Sequence, residues 1–133
     1  MSYKIFVCAN PYFGTWEPTL EYQDRDVANT IAMGFINDGI PVITYNGEKF
    51  RIWNASQKHQ PKKLNINDYP VIAKEAKNYE SCRLSDLDWL GLLELYAWTY
   101  DAKTGLKKVT QSFYTYSSPL FESEKLFSVT SYE

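Results

Sequence analysis

The segment 24–53 constrains the fold more than any other part of the chain, because it specifies a helix and a hairpin together with their boundaries. Asp24 or Asp26 can cap a helix start, and an Asp-Gly pair followed by a proline ends the helical pattern. Gly34 near the apolar side suggests either a close backbone approach, which we favour, or a position that simply tolerates glycine. The spacing predicts an amphipathic helix over 24–38. Its buried stripe would consist of Val27, Ala28, Ile31, Ala32 and Phe35.

A hairpin follows the helix, with the pair Asn46-Gly47 as its two-residue turn. Asn-Gly between alternating residues is the strongest short signal for such a turn, and it would set Tyr45 opposite Glu48. We expect the helix to pack on the more apolar face, since a helix on an antiparallel sheet buries both elements. Alternation gives one face with Ile43, Tyr45, Phe50 and Ile52, and another with Thr44, Lys49, Arg51 and Trp53.

A second hairpin is predicted where two segments rich in β-branched and aromatic residues, 92–100 and 109–116, flank a turn ending in glycine. A capping pattern at 85–89 predicts a single helical turn before it. If Tyr100 lies opposite Leu106, one face is aliphatic and the other aromatic. A slip of one residue would change which residues of the return strand join each face. The aromatic face would carry Tyr96, Trp98, Tyr100 and Tyr114.

These elements predict one α+β domain over residues 1–133, a largely antiparallel β-sheet of five or six strands packed by the first helix, with a second short helix at about 68–79. Cys8 and Cys82 lie far apart, and no secretory signal precedes the first strand. No apolar run approaches the roughly 20 residues of a membrane span. We therefore expect a soluble, cytoplasmic protein with reduced cysteines and no membrane partner.

Aromatic residues make up 17% of the chain, which is the unusual feature of its composition. They are typical either of a β-rich core with tyrosines on half-exposed strand faces or of a contact surface, since Tyr and Trp supply a large contact area at low entropic cost. The segment 11–18 allows the same two interpretations. Tyr12, Phe13 and Trp16 would either plug the edge of the core or form a binding loop.

The net charge is −2, yet the segment 47–77 carries seven basic and three acidic side chains. The acidic balance argues against nucleic-acid binding through the global field and leaves only a local basic site. Cations beside an indole can hold a phosphate and stack a base. A solvated charge run in a long exposed connection at 54–66 is the alternative. The candidate binding residues are Arg51, Trp53, Lys58, Lys62 and Lys63.

Motifs for catalysis and for metal binding are absent from the sequence. His59, the only histidine, lies among lysines in a polar segment, which is typical of a solvated side chain rather than a general base. Capping or solvation accounts for the paired carboxylates. One histidine and two distant cysteines do not have zinc-site spacing. We expect neither catalysis nor a cofactor nor a metal ion.

The sequence therefore favours a non-catalytic binding module. In short length, acidic balance, aromatic content and lack of a catalytic motif, it is similar in general character to small phage-encoded proteins that inhibit host machinery, although no motif carries the likeness. On this interpretation the aromatic face occupies a surface of a host protein or protein complex. The alternative is a ligand-binding protein that sequesters a nucleotide or short single-stranded nucleic acid through the basic residues.

Overall fold

The predicted α+β class is confirmed, because the chain forms antiparallel sheets and two helices. Its strands are divided between two sheets, one in each of two compact units, residues 1–59 and residues 60–133. The computed structural model describes residues 2–10, 15–17, 20–53, 62–87, 91–115 and 123–133.

The N-terminal unit consists of one sheet and one helix. Its elements are β1 (Tyr3–Asn10), β2 (Thr15–Trp16), β3 (Leu20–Tyr22), α1 (Arg25–Asn37), β4 (Val42–Tyr45) and β5 (Phe50–Trp53). The strands pair antiparallel in the order β2-β1-β4-β5, and β3 pairs with the edge of β1 that β4 leaves open. The predicted helix and hairpin are therefore both present.

Helix α1 begins and ends for the reasons that the sequence indicates. The side chain of Asp24 accepts hydrogen bonds from the amides of Asp26 and Val27, at 2.8 and 3.2 Å. These bonds satisfy two of the amide groups that a helix start leaves without a partner. Beyond Asn37, Gly39 has a φ of 78°, a conformation that glycine adopts without a Cβ penalty.

The helix packs on the opposite face of the sheet from the one predicted. Its Ala28 and Ala32 cluster with Val42, and Trp53, which pairs with Val42, packs against the same cluster. Ile43 points to the other face, yet Val42 and Ile43 are both fully buried. Since both faces of β4 bury apolar side chains, the alternation alone did not reveal which one the helix covers.

Two details of the predicted helical stripe were wrong. Val27 is 45% exposed, while Ile36 is partly buried against the core cluster. Gly34 is exposed, and no described atom beyond its chain neighbours and the adjacent helix backbone lies within 4 Å of the position that a Cβ would take. The buried stripe therefore begins one residue later than predicted, and Gly34 makes no close backbone approach.

The turn of the first hairpin is centred one residue later than predicted. The amide of Asn46 donates to the carbonyl of Lys49 at 3.1 Å, so Gly47 and Glu48 form the tip. Gly47, with a φ of 93°, occupies the position where a type II′ turn places glycine. The Asn46 side chain accepts from the amides of Glu48 and Lys49, as Asx turns do. Because the pairing moves by an even number of residues, each face keeps its predicted side chains.

The C-terminal unit contains the second sheet and a short helix. Its elements are β6 (Lys62–Leu64), a 3-10 turn (Ile66–Asp68), α2 (Pro70–Ala76), β7 (Ser81–Leu87), β8 (Leu92–Tyr100), β9 (Lys107–Thr115) and β10 (Lys125–Tyr132). The strands pair antiparallel in the order β10-β9-β8-β7-β6. The short helix is present within its predicted bounds. The helical turn predicted at 85–89 was wrong, because 85–87 pairs with β8 and this pairing overrides the local capping signal.

The register of the second hairpin differs by one residue from the prediction. The amide of Asp101 donates to the carbonyl of Leu106 at 2.9 Å, so Leu106 belongs to the turn. Tyr100 consequently pairs with Lys107. This slip moves Tyr114 to the aliphatic face, where it is 1% exposed. The placement of Tyr114 on the aromatic face was therefore wrong.

Tyr114 connects helix α2 to the second sheet. Its ring lies in a core cluster with Tyr69 and Ile72. The Tyr114 hydroxyl donates to the carboxylate of Glu75 on α2, and the same carboxylate accepts from the Lys125 Nζ at 2.7 Å. A buried tyrosine hydroxyl requires such a partner. The helix thus supplies both apolar cover and the acceptor.

We predict that Tyr114→Phe lowers the free energy of unfolding by about 1–2 kcal/mol, because the Glu75 carboxylate loses a donor in a partly buried position. Tyr100→Phe is the matched control, since its ring is 59% exposed, and it should change stability by less than about 0.5 kcal/mol. Urea unfolding followed by circular dichroism measures both. Equal effects would contradict the register that buries Tyr114.

Candidate functional site

Three aromatic side chains form a continuous strip on the second sheet. Tyr96, Trp98 and Tyr100 alternate along β8 and therefore point to the same side. The ring centres of Tyr96 and Trp98 lie 5.8 Å apart at an interplanar angle of 58°, a favourable tilted arrangement. Tyr100 is exposed, and the other two are partly exposed. We call these three residues the aromatic strip.

Two cations lie over rings of the aromatic strip. The Arg83 guanidinium carbon is 4.8 Å from the centre of the Tyr96 ring, and the Lys107 Nζ is 4.8 Å from that of Trp98. Both distances fall within the roughly 6 Å range of a cation–π interaction. Arg83 comes from β7 and Lys107 from β9, one on each side of β8. The strip is thus aromatic surface flanked by positive charge.

The aromatic strip has a rigid support. It lies on β8, the middle strand of the second sheet, which pairs with β9 along its whole length and with β7 from Leu92 to Trp98. Farther along the same face, Gln111 donates to Glu94 at 3.2 Å, and buried Phe113 stacks on Phe127 with ring centres 5.2 Å apart. Sites on paired strands hold side chains more accurately than sites on loops. The rings of the aromatic strip are therefore held in defined positions before any partner binds.

The predicted basic residues do not form one described cluster. Arg51 and Trp53 meet in the N-terminal unit, with the guanidinium carbon 4.0 Å from the centre of the indole ring. Lys62 and Lys63 are exposed on β6, so that part of the expected loop is a strand. Lys58 lies outside the described residues. The structure thus brings together the arginine and the tryptophan of this set.

Trp16 has the position of a core residue. It pairs with Cys8 across β1 and β2 and is 8% exposed. Tyr12 and Phe13 lie outside the described residues. The burial of Trp16 favours the core interpretation of this aromatic side chain, so we remove it from the candidate binding residues.

Arg83 and Lys107 are the site residues that sequence reasoning missed. Neither lies in a motif, and each comes from a strand next to the one that carries its ring. Arg83 is directly opposite Tyr96, whereas Lys107 is opposite Tyr100 and diagonal to Trp98. Such neighbours become visible once the strand register is known.

The thiol of Cys82 does not have the environment of a nucleophile. Cys82 is partly buried against the core cluster of the second sheet. This burial raises the pKa of Cys82 above its ordinary value of 9.0. Reactive cysteines have lowered pKa values, because the thiolate is the attacking species. The shift of Cys82 therefore opposes thiolate chemistry.

Comparisons of the chain with protein-family models, with curated proteins and with solved structures found no match. Within the described ranges, no three side chains of His, Cys, Asp or Glu lie close enough to hold a metal ion. The helices described in the structure are too short or too polar to cross a membrane. The candidate site therefore rests on the geometry of the aromatic strip and its two cations.

We predict that iodoacetamide modifies Cys82 more slowly in the folded than in the unfolded chain at about pH 8, because a raised pKa leaves less thiolate. The folded state favours the protonated thiol. Its contribution to stability is therefore present at neutral pH and is lost as the pH rises through the folded pKa, above 9.0.

Mass spectrometry of the peptide that contains Cys82 measures the modification across this pH range. A Cys8→Ser variant keeps the second thiol from contributing to the measured rate. Equal rates for Cys82 in the folded and the unfolded chain would contradict the prediction.

Proposed function

We propose that the protein is a non-catalytic binding module that occupies a surface of another protein with its aromatic strip. The supporting observation is that Tyr96, Trp98 and Tyr100 remain accessible on the middle strand of a sheet, with Tyr100 59% exposed. Tyrosine and tryptophan are enriched among the residues that dominate binding energy. Their fixed positions reduce the entropy lost on binding.

The partner surface that fits the strip is apolar at its centre and acidic at its margin. Arg83 and Lys107 keep N–H donors that the aromatic rings do not use. Lys107 lies 4.0 Å from the exposed carboxylate of Glu133, a distance at which a surface ion pair contributes little. Carboxylates of a partner can therefore replace this contact, and exclusion of water strengthens their attraction to the cations.

We propose that this binding inhibits the partner. A module without catalytic groups acts on its partner by excluding whatever else binds the same surface. Small size and a rigid contact strip are sufficient for this effect. We therefore extend the proposal to a phage-encoded inhibitor of a host protein or protein complex.

Single-stranded nucleic acid is a second class of partner that aromatic rings and cations can bind. Two features argue against it for the strip. The cations already lie over the rings of Tyr96 and Trp98, where bases would stack. The net charge of −2 gives no general attraction for a phosphate backbone. We therefore propose a protein, rather than a nucleic acid, as the partner that binds this surface.

We predict that the double variant Trp98→Ala with Tyr100→Ala loses capture of the partner, because hot-spot aromatic residues each contribute about 2 kcal/mol or more. Tyr132→Ala is the matched control, since Tyr132 is 55% exposed and points to the opposite face of the same sheet. Affinity capture from host extracts, repeated with each variant, makes the comparison.

Thermal unfolding of each variant shows whether it remains folded. Capture of the same partner by a folded double variant would refute this position of the interface. Failure of the wild-type chain to capture any protein would refute the proposed function.

We predict that Lys107→Glu weakens binding to the captured partner by at least about tenfold, because it places a carboxylate against the acidic margin. Lys108→Glu changes the charge equally but points to the other face of β9, and its effect should be small. Titration calorimetry at two salt concentrations measures both. Equal weakening by the two variants would contradict an acidic margin at the strip.

A further inference from the structure

A cleft lies between α1 and the sheet of the N-terminal unit, and the proposed protein interface does not use it. Its volume is about 910 Å³, within the roughly 300–1,000 Å³ range of small-molecule sites. One wall is a stripe of α1 from Arg25 to Ile36, a length of about 16 Å at 1.5 Å per residue. The other wall comes from β1, β4, β5 and the hairpin turn. The cleft can therefore hold an extended small molecule.

The lining of the cleft carries positive charge. Lys4, Arg25, Lys49 and Arg51 line it, and no Asp or Glu does so among the described residues. The register places the Arg51 side chain on the face that α1 covers, whereas that of Lys4 points to the other face. Three cations from the helix and the hairpin thus line the side of the cleft that α1 covers.

The Arg51 guanidinium has a defined position in the cleft. It stacks at 4.0 Å from the centre of the Trp53 ring. The indole N–H of Trp53 donates to the Thr44 Oγ1 at 2.8 Å, which fixes the ring on the sheet. A guanidinium held by stacking keeps its N–H donors in a planar fork that matches a carboxylate or phosphate.

The topology separates a cationic end of the cleft from an apolar end. A connection of four residues, 38–41, joins α1 to β4, so the helix C-terminus lies beside the start of β4. The helix N-terminus, with Arg25, therefore lies at the same end of the sheet as the hairpin turn with Lys49. Toward the opposite end, the lining consists of Ala32, Met33, Ile36 and Trp53.

We propose that this cleft binds a small amphiphilic anion, with a carboxylate or phosphate between Arg25, Lys49 and Arg51 and an aliphatic body along Met33 and Trp53. Charge complementarity selects the head group, and the apolar end selects the body. A nucleotide fits less well, because Arg51 already covers one face of the indole on which a base would stack. The site makes the chain a carrier or sequestering protein for such anions.

Titration calorimetry of the full chain with octyl phosphate and octanoate tests the proposal, with 1-octanol and adenosine monophosphate as comparison ligands. We expect saturable binding of one anion per chain. Octanol should bind at least about tenfold more weakly, since it lacks the charge that the cations contact. The nucleotide should also bind more weakly than octyl phosphate.

Substitutions at the two ends of the cleft test which end binds the anionic group and which binds the aliphatic body. Arg25→Gln and Arg51→Gln should each weaken anion binding by about tenfold, which corresponds to 1.4 kcal/mol. Met33→Glu should weaken octyl phosphate binding, because it places a carboxylate at the apolar end. Lys74→Gln, an exposed cation of α2 in the other unit, is the matched control and should have no effect.

Absence of saturable binding by both anions would overturn the proposal, as would equal affinity for octanol. Unchanged affinity in both arginine variants would show that the cations of the cleft do not hold the head group. Tighter binding of adenosine monophosphate than of octyl phosphate would replace the aliphatic ligand by a nucleotide. The Trp98→Ala, Tyr100→Ala chain should retain anion binding, because its changes lie in the other unit.

Discussion

One backbone hydrogen bond at the turn between β8 and β9 has consequences for the whole second sheet. By pairing Asp101 with Leu106, it sets Tyr100 opposite Lys107 and determines the side to which every later residue of β9 points. A slip of one residue would reverse those faces and bring the Tyr114 hydroxyl out of reach of Glu75. The same register brings Lys107 to the ring of Trp98. The core and the candidate interface therefore depend on one alignment.

The local features of this fold could be predicted from the sequence, whereas features that depend on two distant segments could not. Capping by Asp24 and the common side of Tyr96, Trp98 and Tyr100 follow from neighbours along the chain. The face of the first sheet that α1 covers does not follow, because β4 buries apolar side chains on both faces. Arg83 reaches Tyr96 through the pairing of β7 with β8, which no short pattern specifies.

Among the described residues of this acidic chain, cations lie over aromatic rings at three places: Arg51 on Trp53, Arg83 on Tyr96 and Lys107 on Trp98. At each place the ring limits the motion of the charged group, and the cation covers aromatic surface that water would otherwise contact. Accessible aromatic residues on a sheet face favour nonspecific association. Positive charge over the rings opposes such association, and in the proposed function it favours acidic partners.

Lys62 and Lys63, which the sequence suggested as ligand contacts, have a structural explanation. They lie exposed on β6, a three-residue strand at the edge of the second sheet. Short edge strands with lysines discourage a further strand from pairing with the open backbone groups. Recognition by strand addition is therefore disfavoured at this edge. The proposed interface accordingly uses the accessible side chains of the middle strand, because side chains differ between surfaces whereas backbone groups do not.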